Sequence, residues 1–175
     1  MPSPGKLRGY ALLFGVLSND RGGYRARFAP GSIRFAAGGD VRCLYGHSEM
    51  ALLGRVSSGT LMLEQDDKGL KFEIELPDTT VGRDVAELIR RGDIRGCSFG
   101  IWNITESTWN VEGGEEIRDY GEVELDEITI TGNPSFPQSM VELIEPDEPD
   151  DEPAATPRRN MASIELAEID LQAVA

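Results

Sequence analysis

The sequence of 175 residues contains one histidine, His47, and two cysteines, Cys43 and Cys97. One histidine and two cysteines without a paired spacing cannot supply a zinc site, so no metal and no cofactor is expected. The 17 lysines and arginines are outweighed by 31 acidic residues, a net charge of -14. Such a balance denies the chain the basic face that contact with nucleic-acid phosphates requires. No apolar run approaches the ~20 residues of a membrane helix, and the first residues lack the apolar core of a secretory signal. A protein of reducing cytosol, with neither membrane nor nucleic acid as partner, is the expectation.

What the chain does have is 39% hydrophobic residues, enough for one domain with a real core. Strands are expected over Leu7–Leu17, Tyr24–Phe28 and Val41–Tyr45, and over Leu52–Leu63 with a break at Ser57–Gly59. The clearest is Leu70–Leu76, where Leu70, Phe72, Ile74 and Leu76 alternate with Lys71, Glu73 and Glu75. Thr79 or Thr80 can cap a helix running to about Arg91, which Gly92 ends. Phe99–Trp109 and Ile117–Ile130 complete the strands, and Ile33–Ala37 reads as one helical turn. Many strands, one good helix and short glycine-rich connections indicate a mainly β (α+β) closed barrel decorated by helices.

Past about Leu143 the character changes. Residues 144–160, with the acid and proline run Glu145–Pro153, cannot offset their ordering entropy and are expected to be a disordered linker. Residues 161–175 regain helical spacing through Ile164, Ala167, Leu171 and Val174, with Leu166 and Ile169 off that face. They read as a short amphipathic segment or as a frayed terminus. The folded domain is thus set at 1–143.

Chemistry is concentrated in Gly96-Cys97-Ser98-Phe99-Gly100, a serine between glycines where the helix pattern stops and a β-pattern begins. Glycine on both sides of a serine is the mark of a sharp bend that holds a nucleophile clear of its neighbours. The base for such a serine is normally histidine, and His47 is the one available. Because His47 and the helix both precede Ser98, the order of an α/β-hydrolase is excluded. Cys97 is an alternative nucleophile, but adjacent strand residues face opposite ways, so only one of the two can meet His47.

A carboxylate must orient the imidazole. In Val123–Ile130, Glu127 shares its strand parity with Val123 and Leu125, whereas Glu124 and Asp126 go with Ile128 and Ile130. Glu127 is therefore a candidate for a partly buried, partnered charge, unless a bulge shifts the phase and leaves it solvated.

Several stretches together resemble the prohead proteases of tailed bacteriophages, relatives of the herpesvirus assemblins. They are Phe28-Ala29-Pro30-Gly31-Ser32-Ile33, Leu44-Tyr45-Gly46-His47 with Leu53-Gly54-Arg55-Val56, and Asp67-Lys68-Gly69-Leu70. Ala86–Ile89 leading to Gly96–Gly100, and Glu124–Thr129 with Asn133-Pro134, complete the set in the family's order, over residues from about 8 to 143. The resemblance implies a serine endopeptidase with an assemblin-like closed β-barrel flanked by a few helices. In it His47 would be general base, Ser98 nucleophile and Glu127 the acidic member. Glu124 and Thr129 stand where the family more often has Asp and Ser, which keeps Asp126 open as the third member. Implied substrates are phage scaffold and major capsid proteins, inside the assembling prohead in the host cytoplasm; separately, the disordered composition after Leu143 makes the protease's own tail a candidate cleavage site. Homo-oligomerisation is left open. The competing reading is a non-catalytic acidic β-barrel acting in capsid assembly or scaffolding.

Overall fold

The computed structural model describes residues 3–35 and 39–146, which form ten strands, one α-helix and a single 3-10 turn at Val56–Ser58. Strands β1 (Lys6–Leu13), β6 (Leu61–Gln65), β7 (Gly69–Glu75) and β10 (Met140–Ile144) make an antiparallel sheet in the order β10-β1-β7-β6. The strict alternation in β7 decides its orientation: Leu70, Phe72 and Ile74 are buried while Lys71 and Glu75 face out.

The second sheet is organised by β9 (Glu115–Thr131), paired along one edge with β8 (Gly96–Glu112) through a hairpin closed by Gly113 and Gly114. Three short strands lie in succession, all parallel, along the other edge of β9. These are β2 (Tyr24–Phe28), β3 (Ile33–Phe35) and β4 (Arg42–Tyr45), with β5 (Ser48–Arg55) antiparallel outside β4. Phe28, Phe72 and Ile128 are buried in one core shared by the two sheets. Phe28 stacks on Tyr120 with centroids 4.6 Å apart and meets Phe99 and Phe136 edge-on.

The single helix α1 (Thr80–Arg90) begins as its sequence dictates, with the Thr79 hydroxyl accepting the Gly82 N–H. It buries Val85 and Ala86, and Gly92 (φ +79°) turns the chain out of it. The turn is followed at once by β8. Among the described residues no helix is long and apolar enough to cross a membrane.

The closed barrel flanked by a few helices is corrected: there are two sheets, neither closed on itself, and one helix among the described residues. The sheets touch at their corners through isolated backbone hydrogen bonds. Gly15 and Ser18 donate to Phe28 and Ala26, and Val141 donates to Arg95, without a continuous ladder. The segment facing β2, residues 14–19, is turn and coil with Gly15 at φ +74°, so its bonds to β2 do not run on as a ladder from β1. The helical turn expected from Ile33 is also corrected. Ile33–Phe35 extends instead, because the edge of β9 offers it backbone partners. The sheet takes in Ile144, which pairs with Lys6. The expected acidic linker beyond residue 146 and the amphipathic segment 161–175 lie outside the described residues.

Candidate active site

Ser98 is the third residue of β8 and pairs directly with Thr129 of β9. Its neighbour Cys97 points into the core, fully buried, with its thiol 3.2 Å from the Tyr10 carbonyl. Burial pushes the Cys97 pKa well up, so its thiolate is disfavoured. Ser98 faces the other way. Leu44, Thr129 and Ser98 lie side by side on β4, β9 and β8, and all three are buried, although they stand outside the main core. This is a second buried layer, on the outer face of the β9 sheet.

The expected bend at Ser98 is not there. The segment is extended strand, and neither Gly96 nor Gly100 has a positive φ. Each glycine instead admits a close neighbour. A Cβ at Gly96 would lie 2.7 Å from Cγ of Pro134, and one at Gly100 would lie 2.9 Å from Oε1 of Glu127. The Gly-x-Ser-x-Gly pattern is here a pair of close approaches, the second of which makes room for a carboxylate.

Glu127 reaches this layer through a phase change. Gly100 pairs with Glu127 and the next residue, Ile101, pairs with Leu125, so β9 carries an extra residue at Asp126. Val123 and Leu125 therefore turn into the core, whereas Glu127 joins Thr129 on the outer face. It is nonetheless buried, with its side chain 7% exposed. Asp126 itself is turned toward Arg42 at 3.2 Å, and Arg42 also holds Glu49 at 2.7 Å.

What covers Glu127 is the β4–β5 turn. Gly46 and His47 have φ +60° and +59°, the pair of left-handed conformations that a tight two-residue hairpin demands. The corresponding turn at Gly113-Gly114 uses two glycines. A histidine in that position is costly, about 1–3 kcal/mol for a non-glycine residue, and it must be held. Gly46 N–H donates to Ile130 O at 3.0 Å, and His47 N–H donates to Thr129 Oγ1 at 2.9 Å.

The imidazole then meets Glu127, with Nδ1 2.7 Å from Oε1. An ionised carboxylate only accepts, so with Glu127 ionised Nδ1 is the donor of this bond, and a neutral ring in that tautomer has its lone pair on Nε2. The ring is half exposed and the carboxylate buried, a pair that spans surface and interior. Desolvation raises the Glu127 pKa above the ordinary glutamate range, opposed by the hydrogen bond and charge of His47. Its second oxygen, Oε2, has no hydrogen-bond partner among the described residues. Nor does any hydrogen bond there join the Ser98 hydroxyl to the imidazole, a contact that in unliganded sites commonly tightens only with substrate.

The structure thus brings the three candidate residues of the sequence onto one face, with Glu127, not Asp126, on the imidazole. Two contributors escaped sequence reasoning. Gly100 was legible only as a bend residue, and Thr129 only as a departure from the commoner Ser. No group of three histidine, cysteine or acidic side chains among the described residues is arranged to hold a metal. A groove of about 390 Å³ lined by Arg27, Phe28, Glu106 and Tyr120 lies elsewhere, and none of the three candidate residues borders it.

A buried serine on a strand whose face also carries a carboxylate-held imidazole, on a mainly β scaffold, assembles the side-chain types that a serine hydrolase uses. The family profile of the caudovirus prohead serine proteases matches residues 3–150, and the chain belongs to that family. The family's role is proteolysis in capsid maturation, carried out in the assembling prohead. Neither a curated protein nor a solved structure matches the chain.

Proposed function

We propose that this chain is the maturation endopeptidase of its prohead, with Ser98 as nucleophile, His47 as general base and Glu127 as the group that orients the base. The 2.7 Å contact between His47 Nδ1 and Glu127 Oε1 carries the reading, because it engages Nδ1 and leaves Nε2 available to accept a proton. In the first step Ser98 Oγ bonds to a substrate carbonyl carbon while its proton passes to Nε2 of His47. Collapse of the tetrahedral adduct breaks the C–N bond, and His47 returns the proton to the departing amine. A water then repeats the sequence in reverse, giving up a proton to His47 as it attacks, and releases the acid with Ser98 regenerated. Glu127 stays ionised and stabilises the imidazolium formed in each half-reaction.

The substrates in this reading are scaffold and major capsid proteins, met inside the prohead in the host cytoplasm. The acidic and proline-rich stretch after Leu143 is a further cleavage target, since a segment of that composition can thread into a cleft. The test is co-expression of the chain, or of its Ser98→Ala variant, with the capsid and scaffold proteins of its own genome, followed by intact-mass analysis. Cleavage with the wild type and none with the variant is expected, since loss of the nucleophile removes several orders of magnitude in rate. Identical masses in both would leave Ser98 a structural residue and favour a non-catalytic role in capsid assembly.

A further inference from the structure

The imidazole of His47 is gripped at Nδ1 by Glu127, but a ring held at one atom still pivots with its backbone. That backbone sits at a left-handed φ of +59° on the tip of a two-residue turn. One side chain secures it. The Thr129 hydroxyl accepts the His47 N–H at 2.9 Å and donates to the Leu44 carbonyl at 3.2 Å, so it is bonded both to the tip of the turn and to the strand that enters it. Thr129 is fully buried and pairs directly with Ser98. It also stands two residues from Glu127 on the same face of β9. One strand therefore holds the base twice, by its ring and by its main chain, at the level of the nucleophile.

We propose that Thr129 is a positioning residue: its hydroxyl ties the main chain of His47 to the strand opposite Ser98 and so sets the direction of Nε2. The proposal rests on the roles assigned above to His47 and Ser98. What the position needs is a hydroxyl that accepts and donates, so Thr129→Ser keeps the function, whereas Thr129→Val keeps the shape and loses both bonds.

Because His47 is the one histidine of the chain, its ring gives a single set of imidazole signals in a proton–nitrogen NMR spectrum. The wild type and Thr129→Ser are expected to show a downfield Nδ1–H resonance protected by Glu127. Thr129→Val, and Thr129→Ala as a variant that cannot crowd its neighbours, are expected to lose it while keeping the dispersed backbone amides of the folded protein. In parallel, the rate at which a fluorophosphonate modifies Ser98 should drop by about 100-fold in Thr129→Val and Thr129→Ala and stay within about threefold in Thr129→Ser, as a misplacement near 1 Å costs.

Retention of the resonance and rate in either hydroxyl-free variant overturns the proposal, as does Thr129→Ser behaving like Thr129→Val. Loss of the folded amide pattern in both hydroxyl-free variants overturns it too, making Thr129 a requirement of folding. A wild type that fluorophosphonate leaves unmodified refutes the protease reading instead, and the imidazole resonance alone then decides the role of Thr129.

Discussion

Replacing Gly100 by alanine adds one methyl group at the point where β8 passes the Glu127 carboxylate. The new Cβ would stand 2.9 Å from Glu127 Oε1 and 3.2 Å from its Cγ. Ordinary contact requires the carboxylate to retreat by roughly 0.5 Å. Its bond to His47 Nδ1, now 2.7 Å, then stretches to the long, weak end of the usual hydrogen-bond range, at most about 3.2 Å. The side chain is too buried to swing into solvent, so the shift falls on the imidazole.

A loss of about 10- to 100-fold in the rate of Ser98 modification or of substrate cleavage is expected, equivalent to about 1.4–2.7 kcal/mol in the barrier. Stability behaves differently. Gly100 has no left-handed backbone to protect, and alanine restricts the unfolded chain by about 0.4–1 kcal/mol, which offsets the strain of moving a side-chain end. The melting temperature should stay within about 4 °C, the shift that 1 kcal/mol produces in a chain of this length. Rate measurements and thermal melts on the purified variant check both halves. A Gly100→Ala variant with the full wild-type rate would refute the reasoning, since the methyl group would then have found room without touching the His47–Glu127 pair.

Glu127→Gln should separate stability from activity. The folded protein raises the Glu127 pKa through desolvation, so the folded state holds that proton more tightly than the unfolded one. Stability then falls as pH rises from the ordinary glutamate range through the raised value, and the penalty is fully present above it. Glutamine abolishes this dependence: melts across pH 4–8 should show a variant at least as stable as wild type near neutrality, while activity drops about 10³- to 10⁴-fold. A variant that melts well below wild type at neutral pH would sink the desolvation argument. Phe28→Ala, which empties the aromatic cluster with Tyr120, Phe99 and Phe136, should cost about 3–5 kcal/mol. At ~2–4 °C per kcal/mol that lowers the melting temperature by roughly 6–20 °C; a drop of under about 3 °C would mean that the cluster is not a unit of the core.

The elements with enough residues to display a period were legible in the sequence. Tyr24–Phe28, the alternating strand at Leu70 and the helix capped at Thr79 fall where their patterns put them. Ile33–Phe35 has three residues, too few for a period, and its conformation is decided by the distant edge of β9. The barrel went wrong for a related reason: alternation reports which face is buried and says nothing of which edges join. At Glu127 the burial was legible, but the face was not. Parity assigned it to the side of Leu125, and the extra residue at Asp126 carried it to the other side, where the turn at His47 covers it. The two glycines around Ser98 marked a special place, though only the structure distinguishes tight packing against Glu127 from a bend.

The parallel pairing of β4 with β9 has a consequence for when the chain becomes chemically competent. Ser98 and Thr129 belong to a hairpin closed by adjacent glycines, a contact the chain can form locally. His47 reaches Glu127 across 80 residues of sequence, and parallel pairing at such separation demands loop closure before it returns any stabilisation. Loop-closure cost therefore favours forming the strand pair that carries Ser98 before the pairing that brings up His47. In the reading proposed above, a chain with this hairpin formed and β4 undocked has its serine but lacks its base, so competence waits on a pairing between distant parts of the sequence.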